Sequence, residues 1–168
     1  GAIPRNFLPS VEKGIRNAMI EGVITNFPMV DFRAIAYDGS YHDVDSSDIA
    51  FQIAGTLAFR KAVMEAVPIL LEPIMDVDIT VPEDCMGAIP ADLNSRRGRV
   101  LGVEARSKNQ TIKAKVHLAE LYRYATDLRS MTGGRGNYTM HFSYYEEVPA
   151  KIAQTIVAQN PKHKIEEE

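Results

Sequence analysis

From Met75 to Val81 the chain alternates without a break: Met75, Val77, Ile79 and Val81 are apolar, and Asp76, Asp78 and Thr80 between them are polar. Successive side chains of a strand point to opposite faces, so the pattern predicts a strand with one buried and one wet face. Pro82-Glu83-Asp84 then opens a helix expected to run to Arg97 and stop at Gly98. Residues 99–105 and 111–116 read as two strands around a hairpin at Ser107-Lys108-Asn109-Gln110. Leu121, Ala125 and Leu128 mark a second helix closed by Gly133-Gly134. On the last strand Tyr138, Met140, Phe142 and Tyr144 alternate, facing one way as core residues would. Residues 73–145 thus predict β-α-β-β-α-β, the split ferredoxin-like arrangement.

The preceding segment is built differently. Val11, Ile15, Ala18 and Met19 recur at helical spacing behind Pro9-Ser10, and Gly22 stands where that helix would stop. Residues 27–37 alternate weakly through Val30, Phe32, Ala34 and Ala36 and predict a strand, followed by a turn at Asp38-Gly39-Ser40. Asp45-Ser46-Ser47-Asp48 is a strong helix opening, because a capping side chain and an acid satisfy and favour the exposed N–H groups. Behind it Ile49, Ile53, Leu57 and Met64 form one stripe, and Ala50, Ala54, Ala58 and Ala62 a second; the helix ends before Pro68. Pro149 begins a final helix with Ile152, Ala153, Ile156 and Val157 apolar, and the tail from Pro161 to Glu168 is charged. The fold class expected for the whole is α+β.

Composition excludes several functions. With 168 residues, 45% of them hydrophobic, the chain can bury a core, and no apolar run reaches the ~20 residues of a membrane span. The first residues lack the apolar run of a signal peptide, and the single Cys85 suits a reducing compartment, so a cytoplasmic location is expected. No Gly-x-x-x-x-Gly-Lys-Ser/Thr is present to cradle phosphates, no Gly-x-Ser-x-Gly elbow, and no cysteine–histidine spacing fit for zinc. No catalytic residues, metal site or cofactor are therefore expected in this chain, which is not read as an enzyme. His117 and His141 fall on strands, where a structural role is the default.

The net charge of −3 conceals an asymmetry. Between Gly87 and Gly136 ten lysines and arginines stand against four acids, a local excess that could face phosphate. Two similar words lie 35 residues apart within it: Asp92-Leu93-Asn94-Ser95 before Arg96-Arg97-Gly98, and Asp127-Leu128-Arg129-Ser130 before Gly134-Arg135-Gly136. Helix capping covers some of these arginines, whose charge suits carbonyl ends. The run from Arg135 to Phe142 partly resembles an RNA-recognition-motif signature, but it lies on the fourth strand rather than the third, so its aromatics read as core. His42, in the polar turn from Tyr37 to Asp45, has no carboxylate or cysteine constellation to make it a base. A turn rich in hydroxyls, a tyrosine and an imidazole suits contact with RNA.

Taken in order, several words resemble the elongation factor G family of ribosomal translocases. They are Val11-Glu12-Lys13-Gly14-Ile15-Arg16, Tyr37-Asp38-Gly39-Ser40-Tyr41-His42-Asp43-Val44-Asp45-Ser46-Ser47, Leu71-Glu72-Pro73-Ile74-Met75, Asp92 to Gly98, Tyr124-Ala125-Thr126-Asp127-Leu128-Arg129-Ser130 and Gly134-Arg135-Gly136. The resemblance implies that residues 1–72 are the later part of a ribosomal-protein-like α/β fourth domain. Residues 73–148 would be a ferredoxin-like fifth domain, and 149–168 a C-terminal helix and tail. It implies a C-terminal fragment of a longer GTPase, with GTP and magnesium held in a G domain elsewhere. Gly39, Ser40, Tyr41 and His42 would form the tip that meets tRNA and mRNA in the small-subunit decoding centre. Arg96, Arg97, Arg129 and Arg135 are the candidates for large-subunit ribosomal RNA near the stalk base.

The sequence departs from the family pattern at Pro90, at Arg123, where glycine is usual, and at Val81, where a capping threonine is common. Pro90 has no N–H for the carbonyl of Met86, so the helix there is expected to kink or begin afresh. Ribosome recycling and ribosome protection use the same architecture. A stand-alone ferredoxin-like RNA-binding or regulatory module is the reading from another class. A phosphatase-like enzyme on the same frame would need a convergent arginine–asparagine loop that the sequence lacks.

Overall fold

The computed structural model describes residues 2–106 and 108–161. They divide into two compact units, residues 2–69 with 149–161, and residues 70–148.

In the first unit a 3-10 turn at Arg5–Phe7 leads into α1 (Leu8–Glu21), with Pro9 in the first turn, where a missing N–H costs nothing. Gly22 ends the helix at φ 75°, and a Cβ there would meet the carbonyls of Phe27 and Thr25 at 2.2 and 2.4 Å. The second helix, α2 (Asp48–Glu65), is capped by Ser47, whose hydroxyl accepts from the Ala50 N–H at 3.1 Å. Glycines let the two helices approach closely: a Cβ on Gly14 would lie 2.1 Å from the Gln52 carbonyl oxygen, and one on Gly55 2.7 Å from that of Val11. Thr56 donates to the Gly14 carbonyl at 2.9 Å, and Ser10 to Asp48 Oδ1 at 2.5 Å. Ala18, Phe59 and Val63 form the small core, with Ile15, Met19, Val23 and Met29 against it. The last helix, α5 (Ala150–Gln159), follows Pro149 and belongs to this unit.

Three expectations fail here. The buried line of α2 is Phe51, Gly55, Phe59 and Val63, whereas Ile49, Ile53, Leu57 and Met64 are exposed, as are Ala54, Ala58 and Ala62. The glycine crossing fixes which side meets α1, and hydrophobicity all round the helix could not reveal it. Residues 27–37 form no strand. Asp31 interrupts them at φ 57°, and none of the described residues pairs with their backbone as a neighbouring strand. The expected turn at residues 38–40 falls instead at residues 43–45.

The second unit is β1 (Leu71–Pro82), α3 (Ala88–Ser95), β2 (Arg99–Arg106), β3 (Asn109–His117), α4 (Tyr124–Thr132) and β4 (Asn137–Glu147). The strands form an antiparallel sheet in the order β2-β3-β1-β4, the ferredoxin-like order. Val77 pairs with Ala114 on one side and Met140 on the other, so period-two patterning on three strands lines one face. Against Val77, Ile79, Val81, Ile112, Ala114 and Val116 pack Ile89, Leu93, Leu121, Tyr124 and Leu128. The hairpin closes on the pair Arg106 and Asn109, with Ser107 outside the described residues, as are residues 162–168 of the tail.

The helix expected from Pro82 to Arg97 is broken. A 3-10 turn at Glu83–Cys85 precedes a fresh start at Ala88, which places Pro90 in the first turn, where its missing N–H is harmless. Arg97 rather than glycine takes the left-handed position, at φ 58°, while the Gly98 N–H donates to the Leu93 carbonyl at 2.8 Å and that of Arg97 to Asn94 at 3.2 Å. On β4 only Tyr138 joins the core, stacked edge-on with Tyr124 at 5.1 Å. Met140, Phe142 and Tyr144 are about half exposed, because β4 is the sheet's edge. A bulge opposite Ile74 and Met75 also turns Tyr144 away from the face of Phe142.

Candidate nucleic-acid interface

The loop holding Gly39, Ser40, Tyr41 and His42 is exposed throughout, and its backbone is fastened from below. The His42 N–H donates to Ser46 Oγ at 3.1 Å, and the Ser46 N–H donates to the His42 carbonyl at 3.2 Å. The Gly39 N–H donates to Asp38 Oδ1 at 2.8 Å. Tyr41 lies 6.0 Å from the ring of Phe7, which stacks on Phe51 at 4.6 Å. A hydrogen bond with Asp43 holds the Tyr41 hydroxyl above its usual pKa and so uncharged. Motif reading named these four residues and placed Ser46 only in the helix opening; that Ser46 holds His42, and that Phe7 lies beside Tyr41, it did not show.

The four arginines separate into two kinds. Arg96 is committed inside the fold: it donates to Asp92 at 2.9 Å, to the Glu120 carbonyl at 3.0 Å and to Asp127 at 2.6 Å, and lies 5.1 Å over the Tyr124 ring. Asp92 first, then Asp127, raises its already high pKa. Arg97 is likewise bound to Glu72, which is only 8% exposed, and lies 3.9 Å from Glu120. Arg135 is about half exposed and pairs with Asp84 at 2.7 Å, also reaching Cys85 Sγ at 3.2 Å. That pairing holds Asp84 below the usual carboxylate range. Arg129 is exposed, with no side-chain partner among the described residues. A phosphate could therefore meet Arg129 directly and Arg135 through its remaining donors, whereas Arg96 ties the end of α3 to the turn before α4 and to α4 itself, and Arg97 ties it to β1.

The sequence words repeated 35 residues apart have a structural counterpart. The arginine after α3 reaches the turn and helix of the other half, at Glu120 and Asp127, and the arginine after α4 reaches back to Asp84 and Cys85. On the open face of the sheet Lys115 bonds to Asp76 at 2.6 Å and Ser143 at 2.7 Å, and lies 5.1 Å from the Tyr144 ring. His141 is 3.8 Å from Asp76; His117 lies 3.5 Å from Glu72 and 3.6 Å from Glu146. With Asp76 and Asp78 on its central strand, this face offers phosphate little.

There is no phosphate-cradling loop in the sequence, and among the described residues no group of three or more His, Cys, Asp or Glu side chains could hold a metal ion. No helix among them is long and apolar enough to cross a membrane.

Comparison with known proteins accounts for both units. Residues 1–67 match the family model described as elongation factor G, domain IV, and residues 69–156 the one described as elongation factor G C-terminus. Both are modules from the C-terminal part of a translational GTPase. The chain belongs to the elongation factor G family. It is 54% identical to elongation factor G of Aquifex pyrophilus over 159 residues, 95% of this chain and 23% of that protein. A crystal structure of a Thermus thermophilus protein superposes with a TM-score of 0.85 at 47% identity, covering 95% of this chain and 24% of that one. The chain thus spans about a quarter of the length of these relatives.

Proposed function

We propose that this chain is the ribosome-contacting end of a GTPase that promotes tRNA–mRNA translocation in the cytoplasm during protein synthesis. Residues 1–72 are the later part of the fourth domain, 73–148 the fifth domain, and 149–168 hold the C-terminal helix. The chain itself makes and breaks no bonds; GTP and magnesium belong to the G domain of the complete factor.

The observation that carries the reading is the pinned, outward loop at His42. A backbone held at both its N–H and its carbonyl presents the exposed imidazole and the Ser40 and Tyr41 hydroxyls in one arrangement. Such a loop meets the tRNA–mRNA duplex of the small-subunit decoding centre by hydrogen bonding and shape, with little ordering cost on contact. Binding better to the ribosome after tRNA has moved than before, the loop shifts the equilibrium forward and disfavours slippage back. Arg129 and Arg135 face large-subunit ribosomal RNA near the stalk base, with Arg96 and Arg97 holding that unit in shape.

The test is His42→Ala in a complete factor ending in this chain, read by single-round translocation and by ribosome-stimulated GTP turnover. Translocation falls roughly fivefold or more while GTP turnover holds. Unchanged translocation refutes the tip role.

A further inference from the structure

Residues 2–7 precede α1 and take a conformation of their own. Pro4 opens the 3-10 turn at φ −58° and ψ 137°, and its carbonyl accepts from the Phe7 N–H at 3.0 Å. Proline fixes φ near that value, so the turn starts with little conformational choice. The turn leaves Ala2, Arg5 and Asn6 exposed, while Ile3 and Phe7 are half-buried.

Both half-buried side chains meet the His42 loop. A Cβ on Gly39 would lie 2.4 Å from Ile3 Cδ1 and 2.7 Å from Ile3 Cγ1, so the absence of a side chain there lets the loop backbone rest on Ile3. The Phe7 ring stands between two others. It stacks on Phe51 at 4.6 Å and 20°, and is tilted 34° to Tyr41 at 6.0 Å. Phe51 is only 7% exposed and begins the buried line of α2, so ring contacts run from the helix pair out to the loop. Gly39 and Tyr41 carry these contacts; Ser40 and His42 alternate with them and are exposed.

We infer that Ile3 and Phe7 are positioning residues for the tip: they touch no RNA themselves and set where the loop holds the His42 imidazole. This deepens the reading of the loop as the part that meets tRNA and mRNA, and its functional consequence rests on that reading. Two kinds of hold act on one loop. Ser46 fixes its internal shape through hydrogen bonds with His42, whereas Ile3 and Phe7 fix its place on the helix pair. An apolar seat offers no polar group for which incoming RNA could compete, so the loop keeps its place on contact and little ordering cost is left.

The test uses a complete factor ending in this chain, read by amide exchange of residues 38–46 and by single-round translocation. Phe7→Leu keeps an apolar side chain but removes the ring contacts, and speeds exchange in the loop by about two- to tenfold. Phe7→Tyr, which keeps the ring, exchanges as wild type does, and Ile3→Ala behaves as Phe7→Leu. Phe32→Leu removes a different ring pair of the same unit, 5.3 Å from Phe59, and leaves loop exchange as it is. Translocation slows in F7L by about two- to tenfold while GTP turnover holds. F7L adds nothing further once His42 is alanine, because Phe7 acts through the tip. Unchanged loop exchange in both F7L and I3A overturns the inference. So does equal speeding by F32L, which would be a general loosening, and so does slowing by F7L that multiplies with that of H42A. If H42A translocates normally, the ribosomal reading falls and exchange alone decides. A loop loosened in F7L and I3A but firm in F7Y and F32L then sustains the seat, and any other pattern refutes it.

Discussion

Arg97 clasps Glu72 with both terminal nitrogens, one of them 3.1 Å from Oε2, and does so from a left-handed backbone position at φ 58°. The side chain and the backbone of one residue thus pull stability in opposite directions. A left-handed non-glycine residue costs about 1 kcal/mol, whereas a nearly buried carboxylate that loses its arginine and keeps only His117 at 3.5 Å loses about 2–3 kcal/mol. Arg97→Ala keeps the strain and loses the partner; Arg97→Gly loses both. Urea unfolding is expected to show both variants destabilised, with the glycine variant the more stable by about 1 kcal/mol. An alanine variant as stable as the glycine one would show that the backbone strain is negligible.

Lys115 and then Ser143 hold Asp76 below the usual carboxylate range. A carboxylate whose pKa is lowered by folding contributes stability above its unfolded value, near 3.8, and that contribution is lost as pH falls through the folded value. Lys115→Met is therefore expected to cost stability at pH 7, with the gap to wild type closing as pH falls below 3.8 and through the lowered folded value. Chemical denaturation at a series of pH values checks this. A gap that persists undiminished in acid would assign the loss to packing over Tyr144 instead.

The Tyr124 hydroxyl is buried without a hydrogen-bond partner among the described residues, and burial pushes its pKa far up. Tyr124→Phe keeps the ring under Arg96 and against Tyr138 while removing that oxygen. Relief of an unsatisfied buried group is worth about 1 kcal/mol, so the melting temperature rises by several degrees. A fall would mean that the hydroxyl has a partner in solution.

Glycine to alanine ordinarily stabilises a helix interior by about 1 kcal/mol. Gly14→Ala is expected to do the reverse, because the new carbon meets the Gln52 carbonyl oxygen at 2.1 Å. Forcing the helices apart costs about 1–3 kcal/mol, and it also breaks the Thr56 bond to the Gly14 carbonyl. Thermal melting of the isolated chain measures it, with Gly87→Ala, which has open space at its Cβ, as the control.

The C-terminal unit was legible because its sheet is half wet: period-two alternation in β1 and β3 and the spacing of Ile89, Leu93, Tyr124 and Leu128 state both element type and facing. In the N-terminal unit α1 and α2 were legible as helices, but the facing of α2 and the path of residues 27–37 were not. In α2 apolar residues surround the axis, and the facing is set by Gly14 and Gly55, whose contribution is an absence of atoms. Residues 27–37 have strand-like alternation, but alternation does not supply a pairing partner. At the candidate site the words around His42 and the arginines were visible, but their allocation was not. No sequence feature says whether Arg96 or Arg129 is free to meet a phosphate, and only distances to Asp92, Asp127 and Glu120 show which one is occupied.

The chain enters and leaves the C-terminal unit through neighbours: the Val148 N–H bonds to the Leu70 carbonyl at 2.9 Å, and α5 then rejoins the unit begun by α1 and α2. The sheet is therefore a loop-out in the covalent path of another body. During synthesis at 5–20 residues per second, α1 and α2 must wait about 4–16 s for their last helix while residues 70–148 are made. The closed entry and exit also mean that the inserted body can fold, or be grafted into another host, without disturbing its frame.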